Sequence, residues 1–317
     1  MESLLTIGIP TYNRPLQIQK QVRLILPQIN SRVSLVVFDN CSKEMVKDRF
    51  TENELNQFTI IRNRCNIGGD ANIARCFENC LTPWLWTLSD DDYIKSNGIE
   101  IVLDAIENNF ESVFLNFNSD HYFKTIGFKQ LATEFRSSKV FGNSFAMSSC
   151  AYNLSKLQNT LHEYYSNLSS GVGTLILVLK YVQNNDQSIC EFIKETPIED
   201  YNTEVGWNYE FFIRRSRQFI EAFDNEKNQK YNRTLFWGCF KTSYILIIMN
   251  RKESNIVYWR RWKVFELAIH NQGIFDALRF NPKLIIFTFL YLILQHRRLN
   301  WILRFIKKIS GKLFIIK

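Results

Sequence analysis

Three consecutive carboxylates, Asp90, Asp91 and Asp92, follow an apolar run at 84–88 and precede Tyr93. Adjacent like charges repel, so a plain solvated loop gains nothing by clustering them. A hard divalent cation relieves the repulsion, because Mg2+ and Mn2+ select carboxylate oxygen. An acidic turn between a strand and a helix is also ordinary, since Asp caps helices well. Three other clusters carry usable chemistry: Thr11-Tyr12-Asn13-Arg14, Asp39-Asn40-Cys41-Ser42 and Asn66-Ile67-Gly68-Gly69. Asp39 can accept a hydrogen bond from a base or ribose, and Arg14 can meet a phosphate. The glycine pair lets backbone come close to a ligand. Each cluster has a plainer alternative: Asp39 and Ser42 serve equally as helix caps, and Asn66 with the glycines as a simple turn.

The elements that must position these residues are legible from periodicity. Strands are expected at 4–9, 33–38, 58–61, 84–88 and 112–117. Between them fall a helix from Pro15 to about 28, a short polar helix after Ser42, a helix ending near Cys80 and one at 97–108. Pro15 suits a first helical turn. Regular alternation of strand and helix predicts an α/β fold with a mostly parallel central sheet flanked by helices. Open parallel sheets bind ligands beyond the carboxyl ends of their strands. All four clusters fall at those ends, an arrangement that random polar loops would not produce. That coincidence moves the acidic triplet from an ordinary turn to a functional one.

Several function classes are excluded by what is missing. No Walker A sequence occurs, and no Gly-x-Gly-x-x-Gly follows the first strand. Neither His-Glu-x-x-His nor Gly-x-Ser-x-Gly is present. What remains is a nucleotide site without a glycine loop, in which a cation at the triplet neutralises phosphates. The seven cysteines are odd in number and irregularly spaced, as in a reduced cytosolic protein. Met1 leads directly into a strand-like run, so no signal peptide is expected. The net charge of +8 is local. Eight of the 39 basic residues lie from Lys283 onward, where no acid occurs, and the other 31 balance the 31 acids.

The run Thr-Ile-Gly-Ile-Pro-Thr-Tyr-Asn-Arg, then Val-Val-Phe-Asp-Asn-Cys-Ser, Asn-x-Gly-Gly before a helix and an Asp triplet after an apolar strand resemble family 2 glycosyltransferases. The resemblance covers about residues 3–120, with a weaker similarity to abequosyltransferase-like members of bacterial O-antigen clusters. It implies the GT-A fold and a typically inverting, metal-dependent enzyme using a nucleotide-sugar donor. Carried over by residue, it implies that Thr11, Tyr12 and Arg14 line the nucleotide pocket. Asp39 then contacts the base, often uracil, while Asn66 and Gly68 border the nucleotide. Asp90 or Asp91 contacts ribose or metal-bound water, and Asp92 coordinates Mn2+ or Mg2+. With three acids in a row the Asp-x-Asp register is open by one residue, so Asp90 is a second metal candidate.

The nucleotide half is expected at about 1–120 and the acceptor half at about 120–205, followed by a helical extension at 206–282 and a basic tail at 283–317. The catalytic base is the weakest assignment. Ser169 to Thr174 precedes an apolar helix at the expected place but lacks a carboxylate. Glu199-Asp200, the adjacent acidic pair that follows the triplet, is the preferred candidate, with Glu163 and Glu204 as alternatives and a solvated turn as its plain explanation. His121 and His162 read as surface residues. Aromatic side chains at 207–240 read as helix core more readily than as a sugar platform. The apolar stretch 284–294 is too short to span a bilayer of about 30 Å. Mixed apolar and basic residues at 301–309 instead suit an in-plane helix on the anionic inner face of a membrane. The expected partners are thus a nucleotide-sugar donor and a lipid-linked saccharide acceptor, with no nucleic acid, on the cytoplasmic side of the inner membrane. A nucleotidyltransferase and a non-catalytic carbohydrate-binding descendant of the same fold are the alternatives.

Overall fold

The structure is a computed structural model, which describes residues 3–135 and 137–200. The extension at 206–282, the tail at 283–317, Cys239 and Glu204 lie outside the described residues. Strands β1 (Leu5–Thr11), β2 (Val33–Asp39), β3 (Thr59–Arg62), β4 (Trp84–Thr87), β5 (Tyr93–Ile94), β6 (Phe114–Asn116), β7 (Phe123–Ile126), β8 (Cys150–Asn153), β9 (Ile189–Phe192) and β10 (Ile198–Asp200) form two sheets. The helices are α1 (Pro15–Ile25), α2 (Glu52–Leu55), α3 (Gly69–Glu78), α4 (Gly98–Asn108), α5 (Gly127–Glu134), α6 (Ser138–Asn143), α7 (Leu154–Leu157), α8 (Leu161–Ser166) and α9 (Gly173–Asn184).

The main sheet has the order β3-β2-β1-β4-β8-β6-β9-β7. Strands β3, β2, β1 and β4 are mutually parallel, and β6 and β9 share their direction, while β8 and β7 run against it. The expected parallel core is therefore present. Strand β8, which has no counterpart among the expected strands, separates β4 from β6 as an antiparallel insertion. Its segment follows a run of Ser, Phe, Ala and Met with no alternation of apolar and polar residues, so the period-2 signal is missing.

Side-chain alternation divides the core into two layers. Leu5, Ile7, Ile9, Trp84 and Trp86 face α1 and α4, whereas Leu85, Phe114 and Tyr152 face α3, α5 and α9. Gly8 marks where α3 crosses β1: a Cβ there would lie 3.0 Å from Cys76 Cβ. The parallel register aligns Thr11 with Asp39 and Asp39 with Arg62. All four clusters therefore emerge along one edge of the sheet.

Candidate active site

The acidic turn begins where β4 leaves the sheet, with Leu88 N–H donating to Gly8 O at 3.0 Å. Thr11, at the carboxyl end of β1, donates its hydroxyl to Asp90 Oδ2 at 2.6 Å. Arg14 precedes Pro15 at the start of α1 and donates from Nη1 to Asp90 Oδ1 at 2.9 Å and to Asp91 Oδ2 at 2.5 Å. The Ser89 hydroxyl donates to the remaining Asp91 oxygen. Asp92 is held differently: Ser148 donates to its Oδ2 at 2.6 Å. Asp90 and Asp91 are almost wholly buried, at 4% and 8% exposed, and Asp92 is half-buried.

Burial pushes the Asp90 carboxyl above its ordinary value, against the opposing pull of Thr11 and Arg14; the neighbouring Asp91 adds to the rise. Burial also works against the Arg14 charge, but Asp90 and Asp91 outweigh it and raise that pKa. One guanidinium thus offsets part of the negative charge of the turn, while burial still opposes the ionised form of Asp90. Among the described residues no three His, Cys, Asp or Glu side chains converge into a ready-made cage. A cation shared with a diphosphate needs only one or two protein carboxylates. The carboxylates of the turn offer hard-oxygen donors of the kind that Mg2+ and Mn2+ select.

Asp39, at the end of β2, is 1% exposed. Its Oδ1 accepts from Ser42 N–H at 2.9 Å, closing the following turn, and its Oδ2 pairs with Arg62 from the end of β3. Arg62 also donates to Ser42 O at 2.7 Å. Asp39 therefore closes a turn rather than capping a helix, since the next helical turn begins only at Val46, and a base bonding to it would share its oxygens with these partners. The two loops are stitched together by Asn40 N–H on Thr11 O at 2.9 Å and Asn13 N–H on Ser42 Oγ at 2.9 Å. Beside them lies a cavity of about 230 Å³ lined by Asn13, Pro15, Ser42, Lys43, Glu44 and Val46. Tyr12 is 41% exposed on the same rim.

The Asn66–Gly69 loop is tied in by amide side chains. Asn40 Nδ2 donates to Asn66 Oδ1 at 2.9 Å and to Gly68 O at 3.2 Å. Asn63 Nδ2 bridges to Asn40 Oδ1 at 3.0 Å and to Asn72 Oδ1 at 2.8 Å. Gly68 adopts φ +89°, a left-handed conformation open to glycine, and nothing lies within 4 Å of a Cβ added to it or to Gly69. The glycine pair thus leaves open space above the start of α3.

Glu199 and Asp200 lie on β10, which pairs antiparallel with β5 so that Ile198 faces Ile94 and Asp200 faces Tyr93, with a bulge at Glu199. The segment is thus a strand beside the acidic turn rather than a solvated turn. Glu199 is exposed. Lys20 of α1 sits 3.6 Å over the Tyr93 ring. Glu163 is spent elsewhere, on α8, at 4.0 Å from Lys180. His121 and His162 are exposed, as expected. Arg62 and Ser148 were not among the residues the sequence singled out, and Asn40 entered only as a member of the Asp39–Ser42 cluster. Arg62 had a signal, as a cation at a strand's carboxyl end; Ser148 had none, because its segment reaches the turn only through the unexpected β8.

The family model described as glycosyl transferase family 2 matches residues 6–169. An uncharacterized glycosyltransferase of Haemophilus influenzae is 30% identical over 106 residues, 33% of this chain and 35% of the relative. The chain therefore matches about a third of that relative's length. Among solved structures, S. aureus TarS 1–349 in complex with UDP is similar at 15% identity and TM-score 0.53, over 73% of this chain and 69% of that one. The mannosyltransferase PcManGT of Pyrobaculum calidifontis, in complex with GDP-Man and Mn2+, is similar at 9% identity and TM-score 0.54, over 89% of each chain. At these identities the structural likeness shows the fold, which is GT-A.

Proposed function

The chain belongs to glycosyl transferase family 2, and from that premise we propose that it moves a sugar from a nucleotide-sugar donor to an acceptor hydroxyl with inversion. The observation that carries the reading is the ion network of Thr11, Arg14, Asp90 and Asp91 at the strand ends, beside the Asp39 turn and the open Gly68-Gly69 loop. Thr11, Tyr12, Arg14, Asp39, Asn66 and Gly68 line the nucleotide side in this reading. Asp92 and Asp90 hold Mn2+ or Mg2+, with Asp91 or Asp90 toward ribose. A bound divalent cation supplies electrostatic stabilisation to the leaving diphosphate.

The remaining work falls to the chain's own side chains. Arg14 is long and partly open to water, and can turn one donor toward a phosphate while keeping Asp90. The carboxylate of Asp200 or Glu199 takes the proton from the acceptor oxygen as it attacks the anomeric carbon, a contribution of about a hundredfold or more. Pairing of β10 with β5 supports that choice, because it brings the pair's backbone beside the turn that would hold the donor. A UDP-sugar is the favoured donor; the TarS complex with UDP supports this, and the GDP-Man complex of the mannosyltransferase makes a GDP-sugar the competitor.

A lipid-linked saccharide of bacterial surface polysaccharide such as O-antigen is the proposed acceptor, met at the cytoplasmic face of the inner membrane. Its support is the acid-free basic run from Lys283 onward. Among the described residues no helix is long and apolar enough to cross a membrane. The test is nucleoside diphosphate release by the full chain from a panel of UDP- and GDP-sugars, with and without Mn2+. Metal-dependent release from one donor supports transfer, whereas binding without turnover under every condition supports the non-catalytic alternative. Vesicle sedimentation of the chain with and without residues 283–317 tests the tail; equal sedimentation overturns the membrane role.

A further inference from the structure

Gln21 has no role so far, and its surroundings are unusual for its position. Its neighbours on the buried face of α1 are Ile18, Val22 and Ile25, each 0% exposed, and Gln21 is also 0% exposed. A buried amide among aliphatic side chains is costly unless its polar atoms are used. Gln21 Nε2 donates to Ser89 O at 3.1 Å and to Asp92 O at 2.6 Å. These carbonyls stand at the two ends of the segment Ser89–Asp92 that contains all three carboxylates. One amide nitrogen therefore fixes the distance across the turn. Its Oε1, buried, accepts no hydrogen bond among the described residues, so the side chain gains nothing except through the turn.

The carboxylates are fixed by other groups: Asp90 by Thr11 and Arg14, Asp91 by Arg14 and Ser89, Asp92 by Ser148. Ser148 also accepts from Ser89 N–H at 3.0 Å. Thus one end of the turn is tied to the other twice, through Gln21 and through Ser148. Gln28, seven residues further on in the 3-10 turn Leu26–Gln28 that follows α1, provides a contrast. It bonds the next loop at Lys95 O and Ile99 N, away from the acids, and all its polar atoms are paired.

We propose that Gln21 is a positioning residue that sets the span of the acidic turn and thereby its affinity for a divalent cation. The inference rests on the metal reading above. Outer partners that orient metal-binding groups typically change affinity by about 10–100-fold when removed. The experiment is direct Mn2+ titration of the full chain without donor, with free Mn2+ read by electron paramagnetic resonance and binding normalised to the folded fraction. Gln21→Met keeps length and volume but leaves both carbonyls without the amide; Gln28→Met imposes the same loss on the neighbouring loop. The expected result is at least a tenfold weaker Mn2+ affinity for Gln21→Met and wild-type affinity for Gln28→Met. Equal affinity for Gln21→Met and wild type, or equal weakening in both variants, overturns the proposal. Where Gln21→Met does not fold, Gln21→Asn replaces it; it keeps an amide too short to reach both carbonyls, and wild-type affinity for it likewise overturns the proposal. Where the wild type binds no Mn2+ alone, the same three chains are titrated with UDP present, because a shared diphosphate supplies the remaining ligands. A wild type that binds no Mn2+ then either sinks the metal reading itself, a different failure from a wild type that binds and a Gln21→Met that binds equally.

Discussion

Replacing Arg14 with Met removes the guanidinium bonded to Asp90 and Asp91 while keeping most of the stem. Breaking a fully buried pair costs about 3–5 kcal/mol, and an exposed pair about 0–1 kcal/mol. Asp90 is buried, but the Arg14 side chain is 31% exposed, so water reduces the interaction. A loss of about 1–3 kcal/mol at pH 7 follows between those limits. The pH dependence has a definite sign. Burial already raises Asp90 above the ordinary value of 3.8. Without Arg14 the rise is larger, so the folded protein holds a proton that the unfolded chain has released. Stability then falls as pH rises from the ordinary value through the raised one, and is regained on acidification. Urea unfolding of the metal-free full chain at pH 5 and pH 7 measures this. The Arg14→Met penalty should be smaller at pH 5. Adding Asp90→Asn should restore much of it, because the uncompensated charge is gone. A penalty equal at both pH values, or no recovery in the double variant, refutes the argument that Arg14 compensates a buried carboxylate.

Three further outcomes are expected. Asp92→Asn keeps volume and a polar contact with Ser148, so the melting temperature should change little while metal-dependent nucleoside diphosphate release is lost; full retained release contradicts the assigned role. Gly68→Ala places a side chain at φ +89°, ψ 159° in otherwise open space, so its cost is backbone strain of about 1–3 kcal/mol, measurable by denaturant unfolding, with weaker nucleotide binding by thermal shift. In native thiol labelling with peptide mapping, Cys65 and then Cys41 should react first among the described thiols. Cys150 and Cys190 should stay unlabelled until unfolding, because burial pushes both thiols up to about 12.

The chain's local chemistry made much of this architecture readable in advance. Alternating apolar residues in β1 and β2, Pro15 opening α1 and the short apolar run of β4 are local signals of strand and helix, and they placed four polar clusters at strand ends. That part is local because strand, turn and helix preferences act over a few neighbours. The partners of those clusters are a tertiary matter. Nothing in sequence spacing links Gln21 to Asp92, Ser148 to Asp92, or Asp200 to Tyr93; these meet because α1, β8 and β10 are packed against the turn from separate parts of the chain. Asp39 illustrates the division. Its type and place at the end of β2 were plain in the sequence, yet whether its oxygens were bonded depended on Arg62 arriving from β3 in parallel register. A carboxylate's identity is local, but its burial and counter-charge, which set its chemistry, come from residues distant along the chain.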